Sequence, residues 1–337
     1  MSALKNLVRT ALHECGGLAA VRRSNRAGFR ILTYHAFSAE RMRSLDWQCR
    51  HLRRFYQPVT MSAVAESLHG GKPLPDYALA VTVDDGNADF ARAHPIFEKH
   101  GIPVLVYLVS DFLDHRLWFW WNQIQYACSH TSHAAVEIAF APTASLQRFP
   151  LTPDTWRQTA DFLIATAKNM PNSHRLSLCH ELLGRLDVKL PAELPAEWRP
   201  LEWDQVRQLE RAGVEFGAHT KTHPILSTVE DGSSLHEEIC GSKARIEQEL
   251  NAPAIHFCYP NGRLRDLDER TDELVRACGF RTAVTMQAGV NFRADPFLLR
   301  RFGVDPALPA FYFAEVVAGV HPLRQAREAL RLTGRRL

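Results

Sequence analysis

The sequence predicts an α/β fold built on a parallel sheet and interrupted once by an inserted unit. Three observations lead there. Short apolar runs, among them Ala78 to Val83, Ile102 to Val109, Val214 to Ala218 and Ile255 to Tyr259, alternate with amphipathic stretches closed by Gly101, Gly213 and Gly279. Chemistry-bearing residues follow directly on those runs, where the carboxyl ends of parallel strands collect functional groups. The rhythm stops between about residues 112 and 200 and resumes at Trp203.

The 337 residues suffice for one large α/β domain, and 46% hydrophobic content provides an ordinary globular core. A net charge of +3 is too small to argue for nucleic acid. The seven cysteines stand singly, with no CxxC pair. Neither a disulfide framework nor a cysteine zinc site is indicated, and a reducing compartment is the simpler expectation. No apolar stretch is long enough for a membrane span, and Lys5, Arg9, His13 and Glu14 interrupt any signal-peptide core.

Residues 3–23 carry Leu4, Leu7, Val8, Ala11, Leu12 and Cys15 at helical spacing, among many arginines. Such a basic amphipathic helix either packs on the outside of a domain or lies on an anionic membrane surface. Phe29 to Thr33 reads as a strand, Asp46 to Phe55 and Ser62 to Leu68 as helices, and Ala78 to Val83 as a buried strand. A helix over Ala91 to His100 and a strand over Ile102 to Val109 complete a βαβ unit. Within the break, Trp118 to Cys128 is an aromatic-rich helix, Val136 to Phe140 and Leu146 to Leu151 suit a hairpin, and Arg175 to Leu186 is helical. Thr152 and Pro153 read as N-cap and first turn of a helix through Asn169. After Trp203 come helices over Asp204 to Ala212, Leu235 to Leu250 and Asp266 to Cys278. The last strands are Thr282 to Thr285 and Leu298 to Val304, and Leu323 to Leu337 is a basic helix.

Four strand ends carry chemistry: His35, Asp84-Asp85, His219 to His223, and Tyr259 to Gly262. Two adjacent carboxylates disfavour each other's ionised form, so a cation or basic group is expected beside them. Two histidines and one carboxylate suit Zn²⁺, and also Fe²⁺, Co²⁺ or Mn²⁺. One aspartate suffices as ligand, which leaves the other free as a base on metal-bound water. The turn Pro260-Asn261-Gly262 offers backbone donors for an oxyanion. Taken separately, each motif has a plain structural reading: an Asx-capped turn for Asp-Asp-Gly, a surface helix for His-x-x-x-His among 16 histidines. The cluster Trp118 to Trp121 suits either a core or a sugar-stacking face. Lys221 is either solvated or faces an anionic substrate.

Thr82-Val83-Asp84-Asp85-Gly86 and His219-Thr220-Lys221-Thr222-His223-Pro224 together resemble the two leading motifs of the polysaccharide deacetylase family, the NodB-homology domain of carbohydrate esterase family 4. Trp203 to Ala218, Ser242-Lys243 and Phe257 to Gly262 have the same look, and the resemblance covers roughly 29–111 and 200–305. It implies a distorted (β/α)7 TIM-like barrel with a mixed α/β insertion. It implies removal of N-acetyl groups from amino sugars, with Asp84 as base and Asp85, His219 and His223 as ligands of a divalent metal, Zn²⁺ first. Tyr259 and Asn261, at the strand end and turn already noted, are the candidates on the substrate and oxyanion side. Two departures stand out. Cys258 occupies the place of the arginine that usually pairs with the catalytic aspartate; Arg301, on the last expected strand, is the candidate replacement, and alternation leaves only one of Arg300 and Arg301 pointing inward. The usual late histidine is absent between Thr282 and Val304, and His35 is the candidate proton donor to the leaving amine; its plain alternative is a hydrogen-bonded core histidine.

The expected organisation is therefore a basic amphipathic helix (1–28), a barrel in two pieces (29–111 and 200–310), an insertion (112–199) and a basic C-terminal helix (311–337). The expected partner is an N-acetylated polysaccharide or lipid-linked glycan, with peripheral membrane contact and no nucleic acid. The expected location is cytoplasmic or on the inner membrane face. The competing readings are a metal-dependent hydrolase of another small amide or cyclic C–N bond, and an inactive carbohydrate-binding relative. Phosphoryl transfer through Asp84-Asp85 with Mg²⁺ fits poorly, because two histidines suit a softer metal.

Overall fold

A computed structural model describes residues 16–140 and 145–320. The basic stretches expected to be helical at 3–15 and 323–337 lie outside those residues. Seven parallel strands curl into a distorted barrel: β1 (Arg30–Tyr34), β3 (Ala78–Val83), β4 (Val104–Leu108), β7 (Glu215–Ala218), β8 (His256–Cys258), β9 (Thr282–Val284) and β10 (Phe302–Gly303). The order is β10-β1-β3-β4-β7-β8-β9. The two ends nearly meet. Leu299 bridges Val284 in parallel, and three residues later Phe302 pairs with Leu32 of β1. The short strand β2 (Gln57–Pro58) flanks the start of β3.

Strands wholly buried on both faces explain the near-continuous apolar runs. Leu32, Tyr34, Leu79, Val81, Val83, Val106, Leu108 and Phe257 pack outward against the helices. Ile31, Ala78, Ala80, Leu105, Tyr107, Cys258, Val284 and Leu299 fill the inside. Arg30 takes an outward place on β1, where its Nε donates 2.8 Å to the carbonyl of Val317 near the end of the helix Ala310–Ala318. A cation there offsets the negative end of the helix. That last helix is apolar and packs on the helix Gly17–Ser24, so a basic character from residue 311 onward is corrected for its described part.

Between β4 and β7 the insertion folds around a core of its own. It contains the helices Trp120–His130, Trp156–Ala167 and Asn172–Arg185 and the antiparallel pair β5 (Ala135–Ile138) and β6 (Gln147–Pro150). The hairpin is where alternation predicted it. The helix expected from Thr152 instead starts at Trp156, because Thr152 and Thr155 bond to each other through their hydroxyls at 2.9 Å and hold a turn ahead of it.

Two other expectations are corrected. The helix predicted over Leu235 to Leu250 is three pieces: α-helix at Gly232–His236, a π-helical turn at Glu237–Gly241 and α-helix at Ser242–Leu250. And Cys240 is bonded to Cys278, with Cα atoms 5.5 Å apart. Isolated cysteines 38 residues apart give no sequence signal that two helices bring them together. No helix among the described residues is long and apolar enough to cross a membrane.

One glycine fixes how closely the strands approach. Gly217 on β7 faces the interior, and a Cβ there would lie 2.6 Å from the carbonyl oxygen of His256. Gly217→Ala should therefore cost about 1–3 kcal/mol. Gly184, with open space around it in the helix Asn172–Arg185, is the control; its change to alanine should gain about 0.4–1 kcal/mol. Urea unfolding of both variants measures the pair of opposite signs.

Candidate metal-assisted hydrolytic site

All the candidates but Arg301 sit at or after the carboxyl end of a barrel strand. Asp84 and Asp85 follow β3, His35 follows β1, His219 follows β7, Tyr259 follows β8, and Arg301 precedes β10. Asp84 continues the inward alternation of Thr82. Asp85 departs from it, because its φ of 76° lies in the left-handed region and turns the chain. Neighbouring carboxylates thus enter different surroundings.

Asp84 meets Arg301. The guanidinium is wholly buried and grips the carboxylate with two bonds, Nη1 to Oδ1 at 2.6 Å and Nη2 to Oδ2 at 2.9 Å. Its remaining donors are satisfied too: Nη1 reaches Thr33 Oγ1 (3.0 Å) and Thr82 Oγ1 (3.3 Å), and Nε reaches the carbonyl of Thr285 (3.0 Å). Arg300 is exposed, so alternation does leave only Arg301 inward. Cys258 Sγ, where the arginine was expected, lies 3.1 Å from Arg301 Nη2. Burial alone would raise the Asp84 pKa; the Arg301 charge outweighs it and holds the carboxyl well below the usual range. His35 Nε2 stands 3.5 Å from Asp84 Oδ2, its side chain 43% exposed at the mouth. Asn87 Nδ2 donates to the His35 carbonyl at 3.2 Å and fixes that loop.

Asp85 meets two imidazoles. Its Oδ1 is 3.6 Å from Nε2 of His219 and 3.6 Å from Nε2 of His223, and the two nitrogens are 3.2 Å apart. His219 Nδ1 lies 2.7 Å from the Cys258 carbonyl, which can only accept, so Nδ1 carries the proton and Nε2 presents its lone pair. Burial pushes the pKa of both histidines down and that of Asp85 up. A buried carboxylate facing two neutral imidazoles lacks a positive partner. The donor triangle fits one: bonds of 2.0–2.1 Å at tetrahedral angles put ligand atoms ~3.3 Å apart. Asp85, His219 and His223 would hold the cation. Asp84, His219 and Cys258 form a second, overlapping group.

The oxyanion candidates fare differently. The Tyr259 N–H donates to the Val284 carbonyl (3.2 Å), and its ring packs outward on Phe257. Asn261 Nδ2 donates to Asp266 at 2.6 Å. These contacts hold the β8 turn. Lys221 is tied to Glu237 at 2.6 Å. Of the aromatic cluster, Phe119 and Trp120 are buried, while Phe119 and Trp121 set their rings at 75° and 71° to that of His223, with centroids 5.6 and 4.8 Å away. The sequence pointed to the cluster but not to this contact. It also missed Glu238, which accepts hydrogen bonds from the loop carrying both histidines.

A carboxylate–arginine pair and an Asp-His-His triangle that could hold a metal ion thus stand together at the mouth of a curled parallel barrel. Residues 154–283 match the family described as polysaccharide deacetylase, whose members are hydrolases of carbon–nitrogen bonds. A stretch of 60 residues is 38% identical to the poly-beta-1,6-N-acetyl-D-glucosamine N-deacetylase of Escherichia coli K12, over 18% of this chain and 9% of that protein. Solved structures share the fold at low identity. The Streptococcus pyogenes deacetylase PplD, solved with acetate, superposes with a TM-score of 0.56 at 16% identity, covering 88% of this chain and 100% of that one. IcaB from Ammonifex degensii gives 0.54 at 17% identity, over 87% and 97%.

Removing Arg301 strands a buried carboxylate. Arg301→Met should cost about 3–5 kcal/mol at neutral pH. The sign with pH follows. Without the guanidinium, burial raises the folded-state pKa of Asp84 above its unfolded value of ~3.9, so the folded variant binds the extra proton and its stability falls as pH rises through that raised pKa. Urea midpoints at pH 5 and pH 7.5 should show the variant regaining part of its deficit against wild type in acid.

Proposed function

We propose that the chain is a metal-dependent N-deacetylase acting on N-acetylated amino sugars of a glycan. The observation that carries this reading is the separation of the two adjacent aspartates, one locked to an arginine and the other facing two neutral imidazoles. A poly-N-acetylglucosamine is the first substrate to try, given the name of the Escherichia coli relative.

In this reading Asp85, His219 and His223 hold the cation, which when bound polarises the acetyl carbonyl and acidifies the attacking water. Asp84 takes the water's proton. Held by Arg301, it is ionised at every working pH and so always available, though a weak base on its own. The water oxygen bonds to the acetyl carbon, the C–N bond breaks, and the amine leaves with a proton. His35, 3.5 Å from Asp84 and open to solvent, is placed to return that proton to the nitrogen. Acetate and a free amino sugar result. The aromatic edges of Phe119 and Trp121 exclude water from one side of His223.

Acetate release from a panel of N-acetylated oligosaccharides, with Zn²⁺ added or chelated, tests the reading. Asp84→Asn should lower turnover by a factor on the order of 10²–10⁴ while bound metal, measured by atomic absorption, stays at the wild-type level. His223→Ala should lose the metal itself. Equal metal content in the two variants, or acetate release that ignores chelation, overturns the assignment.

A further inference from the structure

The loop His219 to His223 carries two of the three donor atoms, yet it is neither helix nor strand. Thr220 and His223 both lie in the left-handed region, with φ of 68° and 59°. Side chains rarely adopt that backbone, and it persists only where its surroundings over-determine it. Thr220 Oγ1 accepts the His223 N–H at 3.0 Å, the N–H groups of Ser110 and Asp111 reach the Thr220 and Lys221 carbonyls, and the centre of the loop is held by Glu238. One of its carboxylate oxygens accepts the N–H groups of Lys221 (3.0 Å) and Thr222 (2.8 Å), and the other accepts the Thr222 hydroxyl (2.5 Å). No acceptor within the loop itself could meet two successive N–H groups and an adjacent hydroxyl at once.

Glu238 is itself held. It lies on the π-helical turn Glu237–Gly241, 9% exposed, next to the fully buried Ile239. A π turn adds one residue to a helical turn and so re-aims the side chains on it, which is why such turns gather at functional sites. Here it lets Ile239 stay in the outer core while Glu238 faces the loop. Two residues on, the bond from Cys240 to Cys278 fastens the turn to the end of the helix Glu269–Ala277. Glu237 adds an ion pair to Lys221 from the solvent side.

We propose that Glu238 is a positioning residue for the metal centre: by gripping the backbone of Lys221 and Thr222 it sets the spacing of His219 and His223, and so the affinity for the cation. It touches neither histidine and no reacting atom. The proposal rests on the reading of Asp85, His219 and His223 as ligands, and it goes beyond that reading in placing part of the affinity outside the ligand set.

The test is the Zn²⁺ affinity of the full-length chain, measured by competition with a chromophoric chelator, alongside thermal unfolding of the metal-free protein. Glu238→Ala should bind Zn²⁺ roughly 10–100-fold more weakly, as for other groups that orient ligands. Glu238→Gln keeps an oxygen for the two N–H groups and should recover most of that loss. A purely structural role would lower metal-free stability and leave the affinity of the folded protein unchanged. Should the alanine variant fail to fold, Thr222→Val removes one of the three bonds and should give an intermediate loss. Wild-type affinity in Glu238→Ala, or in both Glu238→Gln and Thr222→Val where only those fold, overturns the proposal. A wild-type protein that binds Zn²⁺ but releases no acetate removes the deacetylase reading and leaves this test standing. A wild-type protein that binds no Zn²⁺ removes the ligand assignment beneath both.

Discussion

The buried pair between Arg301 and Asp84 is the constraint on which the mouth of the barrel depends. Taking two charges out of water costs several kcal/mol for each, and their attraction repays it only when every remaining donor is met. Here Thr33 of β1, Thr82 of β3 and the Thr285 carbonyl just after β9 meet them. The last segment of the sheet is thereby pinned to β1 and β3 where the ring closes weakly, by the Leu299 bridge and the two-residue β10. The pair therefore does two jobs, closing the barrel and fixing the charge of Asp84.

From this the difference between the two aspartates follows. Alternation carries Asp84 inward to the guanidinium, and the positive φ of Asp85 swings the next carboxylate to the histidines. One carboxylate is satisfied by protein alone. The other is buried among groups that burial keeps neutral, which makes it the carboxylate a bound cation would serve. Repulsion between neighbours is eased by turning the two carboxylates into separate surroundings.

Much of this was legible in the sequence because strand alternation and strand ends are local signals. The run Ala78 to Val83 coincides with β3, and a period of two was enough to say that only one of Arg300 and Arg301 points inward, though not which. What was not legible depends on contacts between distant elements. Nothing in Glu237-Glu238 distinguishes the residue that grips a loop from the one that pairs with a surface lysine; a π turn decides it. Cys240 and Cys278 carry no spacing rule that foretells their bond. At the β8 turn, the Tyr259 N–H meets the Val284 carbonyl and the Asn261 side-chain amide meets Asp266, contacts between elements that no local pattern shows. The helix start at Thr152 failed because two hydroxyls bonded to each other, a local competition that propensity does not weigh.

The insertion enters the same physics from the other side. The helix Trp120–His130 packs into the insertion's own apolar core, and the residue preceding it, Phe119, is anchored in the barrel core, so the segment is held from both sides. That rigidity matters at His223, whose ring is flanked by Phe119 and Trp121 while its backbone neighbours are held by Glu238. Aromatic edges displace water and lower the local dielectric, which strengthens any charge interaction made there. They also favour the neutral imidazole that a metal ligand requires. One donor of the triangle is thus shaped by the insertion, one by the carbonyl of β8, and one by the turn after β3. The site belongs to no single segment, which is why each motif taken alone had an ordinary structural reading and only their assembly at one barrel mouth gives the chemistry.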